Sequence, residues 1–138
     1  MRIVKCGMED VSRLAALNKM LIEDEQSSNP MGVEELQDRM RGFLSGDYSA
    51  FFFMEEDAVI GYALIRHTSD PVYLRQFFID RPYRGQHKGQ QAFRELMAFL
   101  GLDTVDIDVL PWNERGLSFW KSCGFAETCV SMRYKQEE

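Results

Sequence analysis

Apolar positions along this chain switch between two spacings, near 3.6 and near 2 residues, and the switches mark out its elements. Residues 2–6 (RIVKC) read as a short strand. From Asp10, Val11, Leu14, Ala15, Leu21 and Ile22 recur at helical spacing. A second helix follows "SSNPMG", with Val33, Leu36, Met40, Phe43 and Leu44 on one stripe. Residues 49–67 hold two apolar runs that turn at Glu55-Glu56-Asp57, a hairpin pattern. "VYLRQFFI" (72–79) reads as a buried strand interrupted by Arg75 and Gln76. A helix follows with Ala92, Phe93, Leu96, Met97 and Leu100 inward and Gly101 as its stop. Residues 104–110 alternate as a strand. "WNERGLSFWKSCGF" gives a short helix, Asn113 at its N-cap and Gly124 at its end. Residues 126–134 (AETCVSMRY) alternate again as a last strand. The order β-α-α-β-β-β-α-β-α-β predicts an α/β (α+β) domain, a mixed sheet with helices packed against it.

With 138 residues and no repeat, low-complexity tract or linker, the sequence predicts a single domain over 1–138. The formal charge of −6 argues against a general nucleic-acid binder, because phosphate neutralisation needs a basic surface. Any anion site must therefore be locally basic. The opening "MRIVKCGMED" lacks an apolar signal core, and the longest apolar run, residues 50–54, is too short to cross a bilayer. Cys6, Cys123 and Cys129 form no CxxC pair, which fits reduced, mostly buried thiols in a cytoplasmic protein. With His67 and His87 the only histidines, no metal site is expected.

The sharpest local signal is "DRPYRGQHKGQQAF" (80–93), where two glycines and three basic residues join a buried strand to a helix. The first amides of a helix lack internal partners and lie at the positive end of its dipole, so such a turn can cradle an anion. Gly85 and Gly89 keep side chains clear of the backbone, while Arg84 and Lys88 add charge. An ordinary strand-to-helix turn with solvated basic residues accounts for the same composition. A P-loop is excluded because no Gly-Lys-Ser/Thr follows, and a Rossmann fingerprint because Gly-x-Gly-x-x-Gly is missing.

The segment Arg84-Gly85-Gln86-His87-Lys88-Gly89 resembles the Arg/Gln-x-x-Gly-x-Gly/Ala signature of the GNAT superfamily of acetyl-CoA-dependent N-acetyltransferases. "NERGLSFWKSCGF" (113–125) resembles that family's second, asparagine-centred element, and the predicted element order fits nearly the whole chain. The resemblance implies a sheet of six or so strands with helices on both faces. It implies that amides of Arg84, Gly85, Gln86, His87, Lys88 and Gly89 hold the coenzyme A diphosphate. It also implies that the backbone of Phe77, Phe78 and Ile79 bonds the pantetheine arm, in a wedge where this strand parts from 104–110. Asn113 would lie beside the arm as well as, or instead of, capping its helix.

Two positions depart from the family pattern. His87 replaces the usual first motif glycine. Histidine tolerates left-handed backbone better than most residues, and its ring either approaches a phosphate or faces solvent. Trp120 stands where many members carry a tyrosine that protonates the departing thiolate. An indole nitrogen only donates and cannot be that acid, so Trp120 is either part of the cofactor wall or core, and Tyr83 or water takes the acid role. Strand 72–79 carries no carboxylate to serve as base. The acidic run Glu23, Asp24 and Glu25 at the end of the first helix is the candidate for attracting a cationic amine or relaying its proton, or is a solvated helix end. Asp106 and Asp108 are second candidates. Arg75 either pairs with a carboxylate or holds an acidic group on the acceptor.

The expectation is a cytoplasmic transferase moving acetyl from acetyl-CoA to a small-molecule amine or peptide by direct aminolysis, with no metal, nucleic-acid or membrane partner. A homodimer through 126–134 is a further expectation. The alternative is a non-catalytic acetyl-CoA-binding sensor or interaction module.

Overall fold

The computed structural model describes residues 1–137. In chain order the regular elements are β1 (Arg2–Lys5), α1 (Val11–Asp24), α2 (Val33–Ser45), β2 (Tyr48–Glu55), β3 (Ala58–Arg66), β4 (Val72–Ile79), α3 (Lys88–Leu100), β5 (Val105–Asp106) and α4 (Glu114–Ser122). Single 3₁₀ turns precede α1 (Met8–Asp10) and follow β4 (Arg81–Tyr83). The sheet order is β1-β2-β3-β4-β5, antiparallel through β4 and parallel between β4 and β5. This is the mixed α/β sheet that the hydrophobic pattern predicts, with helices on both faces.

Each face has its own core. Val11, Leu14, Leu17 and Leu21 of α1 and Met40 of α2 pack on Ala50, Phe52, Tyr62, Leu64 and Phe78. On the other face Ala92, Phe93 and Leu96 of α3 pack on Phe53, Ile60, Ala63, Ile65, Leu74 and Ile79, with Trp120 and Phe125 closing the edge. The hairpin turns where its acidic tripeptide lies, with Glu56 at φ 54°. Helix α3 stops at Gly101 in left-handed geometry (φ 66°), as expected of a C-terminal glycine. At Gly61 the sheet leaves no space for a side chain, because a β-carbon there would sit 2.0 Å from the Phe78 carbonyl oxygen.

A bulge shapes β4. Leu64 pairs with Gln76 and Ile65 with Leu74, so Arg75 is an extra residue without a cross-strand partner. A bulge re-aims the side chains beside it. Leu74 joins the α3 face, whereas Arg75 reaches Phe43 of α2 and Gln76 bonds Tyr62, both on the α1/α2 face.

Three expectations need correction. Residues 104–110 form a ladder over Val105–Asp106 alone, because pairing with β4 ends at Tyr73↔Asp106. Residues 126–134 are not a strand among the described residues, since a ladder needs an edge and none of the sheet's strands meets them. Val130, Met132 and Tyr134 stand 76%, 92% and 88% exposed. The thiols are not mostly buried either. Cys6 is, with burial foremost and then Asp10 pushing its pKa up to about 12, but Cys123 is half-buried and Cys129 exposed.

Candidate acyl-donor cleft and adjoining polar cavity

Strand β4 runs on to Ile79 after its pairing with β5 has ended, so the two strands part and leave an opening at the carboxyl end of β4. The chain then makes its 3₁₀ turn, capped by Asp80, and enters α3 through the glycine loop. Gly85 (φ 78°) and His87 (φ 59°, ψ 17°) both take left-handed backbone there, and His87 is the N-cap of α3. These turns leave the amides of residues 85 to 90 without a hydrogen-bond partner among the described residues, at the positive end of α3. Gly89 has a different reason to be glycine, since a β-carbon there would sit 2.7 Å from the Phe119 ring.

All of the donor-binding candidates except Gln86 line one cleft of about 440 Å³. Its apolar wall is an aromatic cluster. Phe77 stacks on Phe119 at 5.9 Å between centroids and meets Trp120 edge-on at 5.0 Å, and Trp120 in turn meets Phe93 and Phe125. Trp120 is thus both core and cleft wall. Asn113 accepts a hydrogen bond from the Gly116 amide at 3.0 Å, the capping role, while its side chain also borders the cleft. Arg115, which the sequence reading passed over, lines the same cleft with no carboxylate within 4.0 Å among the described residues. Its place just after the capping Asn113 is the signal that could have singled it out.

The loop's other cations are already engaged. Lys88 donates to Glu55 at 2.6 Å, and that hydrogen bond holds the Glu55 carboxyl below the usual carboxylate range. Arg84 lies over the Phe78 ring, donates to the Ile79 carbonyl at 2.7 Å and pairs with Asp24, which also pairs with Arg81 at 2.7 Å. Burial raises the Asp24 pKa, but the hydrogen bonds from Arg81 and Arg84 outweigh it and the net shift is downward. The two guanidiniums compensate an acidic group at the unfavourable end of α1 and fasten that helix to the loop. The free amides and Arg115 are therefore what remains for an anion.

The acidic run divides by direction. Glu23 faces solvent and lines neither cavity. Glu25 borders both the cleft and a second, polar cavity of about 210 Å³. Burial, and then the Asp24 charge, raise its pKa. Tyr83 packs against the α3-side core and is not part of the cleft wall. Asp108 accepts a 2.8 Å hydrogen bond from Tyr73, whose pKa is pushed up to about 12 by burial and by that carboxylate.

The polar cavity lies between α1, α2 and β4. Asn18, Glu25, Arg39, Tyr73, Arg75 and Gln76 are among its walls. Asn18 is buried and accepts from Arg39 Nη2 at 3.1 Å, and Gln76 accepts from the buried Tyr62 hydroxyl at 2.8 Å. Arg39 Nε is buried and bonded to nothing among the described residues.

A model of the acetyltransferase (GNAT) family matches residues 14–125. Among solved structures, a possible acetyltransferase from Clostridium difficile 630 superposes with a TM-score of 0.78 at 15% identity, covering 99% of this chain and 97% of that one. The aminoglycoside N-acetyltransferase AAC(6')-Iy in complex with CoA gives 0.73 at 20% identity, over 98% of this chain and 93% of that one. A predicted acetyltransferase with acetyl-CoA from Clostridium acetobutylicum gives 0.72 at 16% identity, over 97% and 95%. An uncharacterised Mycobacterium leprae protein is 30% identical over 82 residues, 56% of this chain but 23% of the relative's own length.

Proposed function

The chain belongs to the GNAT acetyltransferase family, and from that premise we propose that its cleft takes acetyl-CoA as donor and passes the acetyl group to an amine. The observation that carries this reading is the row of unpartnered amides at residues 85 to 90, opening into a cleft at the end of β4. Such amides suit a diphosphate, and Arg115 adds the free positive charge beside them. The aromatic wall of Phe77, Phe119 and Trp120 suits the apolar stretches of the pantetheine arm.

The reaction is aminolysis. A neutral amine attacks the thioester carbonyl, the C–N bond forms, the C–S bond breaks and the thiolate leaves. Backbone N–H groups at the end of β4 polarise the carbonyl oxygen. Glu25 sits where the two cavities meet and takes the amine's proton, directly or through water. Its raised pKa makes it a stronger base than an ordinary carboxylate. No tyrosine is required at the sulfur. A coenzyme A thiol should titrate near a cysteine's ~8.5, so its thiolate leaves tolerably and takes its proton from water.

Trp120 favours a second reading, since a donor-only indole in the family's usual acid position suits a protein that binds acetyl-CoA without turning it over. Calorimetric titration with acetyl-CoA and coenzyme A, followed by thiol release across a panel of amines, separates the two. Binding with amine-dependent release supports the transferase. Binding without release supports the sensor, and no heat at millimolar cofactor overturns both. The exposed alternation Val130-x-Met132-x-Tyr134 fits pairing with a second copy of the chain. Light scattering of wild type against Met132→Arg tests this, with a dimer expected to fall to monomer; a monomeric wild type would refute it.

A further inference from the structure

The polar cavity beside the cleft is lined by charges of both signs, Arg39 and the exposed Arg75 against Glu25, and none of the three is in an ion pair among the described residues. Arg39 and Arg75 have no carboxylate within 4.0 Å among the described residues. Both guanidiniums lie against one ring, that of Phe43, at 5.5 Å and 4.9 Å. Neutral partners orient them, Asn18 for Arg39 and the Tyr48 hydroxyl for Arg75 at 3.3 Å. Two like charges drawn together this way oppose each other. Burial first and Arg75 second hold the Arg39 pKa down. A buried guanidinium N–H with no acceptor is a further penalty, and Arg39 Nε is one. The bulge supplies the second guanidinium, because without the extra residue Arg75 would not share a face with Gln76. Glu25 lines the same cavity and also borders the cleft, without a salt-bridge partner among the described residues. Burial foremost raises the Tyr62 pKa, and the hydroxyl feels charges of both signs, Glu25 raising it further and Arg39 lowering it.

We propose that this cavity is the acceptor site and that it selects a small amine carrying a carboxylate, the carboxylate held by Arg39 and Arg75 and the amine placed at Glu25. This rests on the acetyl-transfer reading of the adjoining cleft. A carboxylate supplies what the cavity lacks: an acceptor for Arg39 Nε, a negative charge between two positive ones, and a planar fork that matches a guanidinium. The cavity's ~210 Å³ suits an amino-acid-sized molecule. An amine without a carboxylate, such as the decarboxylated or amidated counterpart, would leave both arginines unanswered.

The test compares matched triplets, each an amino acid, its carboxamide and its decarboxylated amine, in thiol release at saturating acetyl-CoA. The free acid should exceed both partners in kcat/KM by roughly 10- to 100-fold, the range for charge-assisted hydrogen bonds. Arg39→Gln and Arg75→Gln should each bring that ratio toward one while the KM for acetyl-CoA holds. Arg39→Lys, which keeps charge without the fork, should fall between. Far-UV circular dichroism and Tm check that each variant folds. Equal or better use of the amide or amine, or equal losses on all three compounds, would overturn the proposal. Calorimetry with the amino acids alone separates the two readings. If acetyl-CoA binds and no free acid does at millimolar concentration, the acceptor assignment fails. If free acids bind, are lost in Arg39→Gln, and acetyl-CoA does not bind, the donor reading fails while the arginine site stands.

Discussion

Replacing His87 by glycine separates the backbone of the α3 entrance from the ring that happens to occupy it. His87 holds φ 59° and ψ 17°, geometry that a residue with a β-carbon adopts at about 1–2 kcal/mol. Histidine is among the more tolerant residues there, which favours the lower figure. Glycine relieves this but loses more freedom on folding, roughly 0.5–1 kcal/mol. The ring is exposed and caps nothing, so no packing is forfeited. At that lower figure the difference is a stabilisation between zero and about 0.5 kcal/mol, a rise in Tm of at most roughly 3 °C. His87→Ala discards the ring yet keeps the β-carbon, so it should melt below both. Calorimetry should then find acetyl-CoA binding unchanged or tighter in His87→Gly, because the amides of residues 85 to 90 are untouched. A tenfold weakening, about 1.4 kcal/mol, would mean that the imidazole itself contacts the donor and would refute an amide-built cradle.

Other expectations follow from the same geometry. Asp24→Asn should lower stability at neutral pH. The folded pKa of Asp24 is depressed, so its contribution is present above the unfolded value near ~3.9 and lost as pH falls through the folded one. Denaturant titrations at several pH values should show the gap to wild type narrowing only below about pH 4; a gap that widens in acid would contradict the ion pairs. Glu25→Gln should reduce kcat/KM for the amine by roughly 10²-fold or more with little change in the KM for acetyl-CoA. It should also abolish an acid limb that lies above the ordinary carboxylate range, as the raised pKa requires; an unmoved pH profile would remove Glu25 from the chemistry. Gly61→Ala should destabilise by on the order of 3 kcal/mol, since its β-carbon meets backbone at 2.0 Å. A change in chemical-denaturation midpoint within error would show that β3 and β4 can part there.

Local signals were legible in the sequence because neighbouring residues write them. The hairpin turn at residues 55–57, the Asn113 cap, the Gly101 stop and the left-handed loop at 85–87 each need only a few adjacent positions. What stayed hidden depends on partners far along the chain. Arg39 reads as the solvated side of an amphipathic helix, and nothing in the sequence ties it to Arg75 before the fold brings both against the Phe43 ring. The bulge that sets the exposed Arg75 on the α1/α2 face is a matter of register between β3 and β4, which hydrophobic alternation does not specify. Residues 126–134 alternate as a strand should, yet alternation states only that one face wants covering. The roles of Arg84 and Lys88 were obscured for the same reason, since Asp24 and Glu55 reach them from other elements.

Asp24 and Glu25 are consecutive residues that look in different directions, one clamped to the donor loop and the other facing the arginine cavity. A ligand that shifts Arg84 would shift the last turn of α1 through Asp24, and with it the Glu25 carboxylate. Occupancy of one chamber should therefore alter affinity in the other, and by linkage the effect must run equally in both directions. Kinetically that makes the order of addition a preference set by this coupling and not a compulsion, since each chamber can still be entered alone.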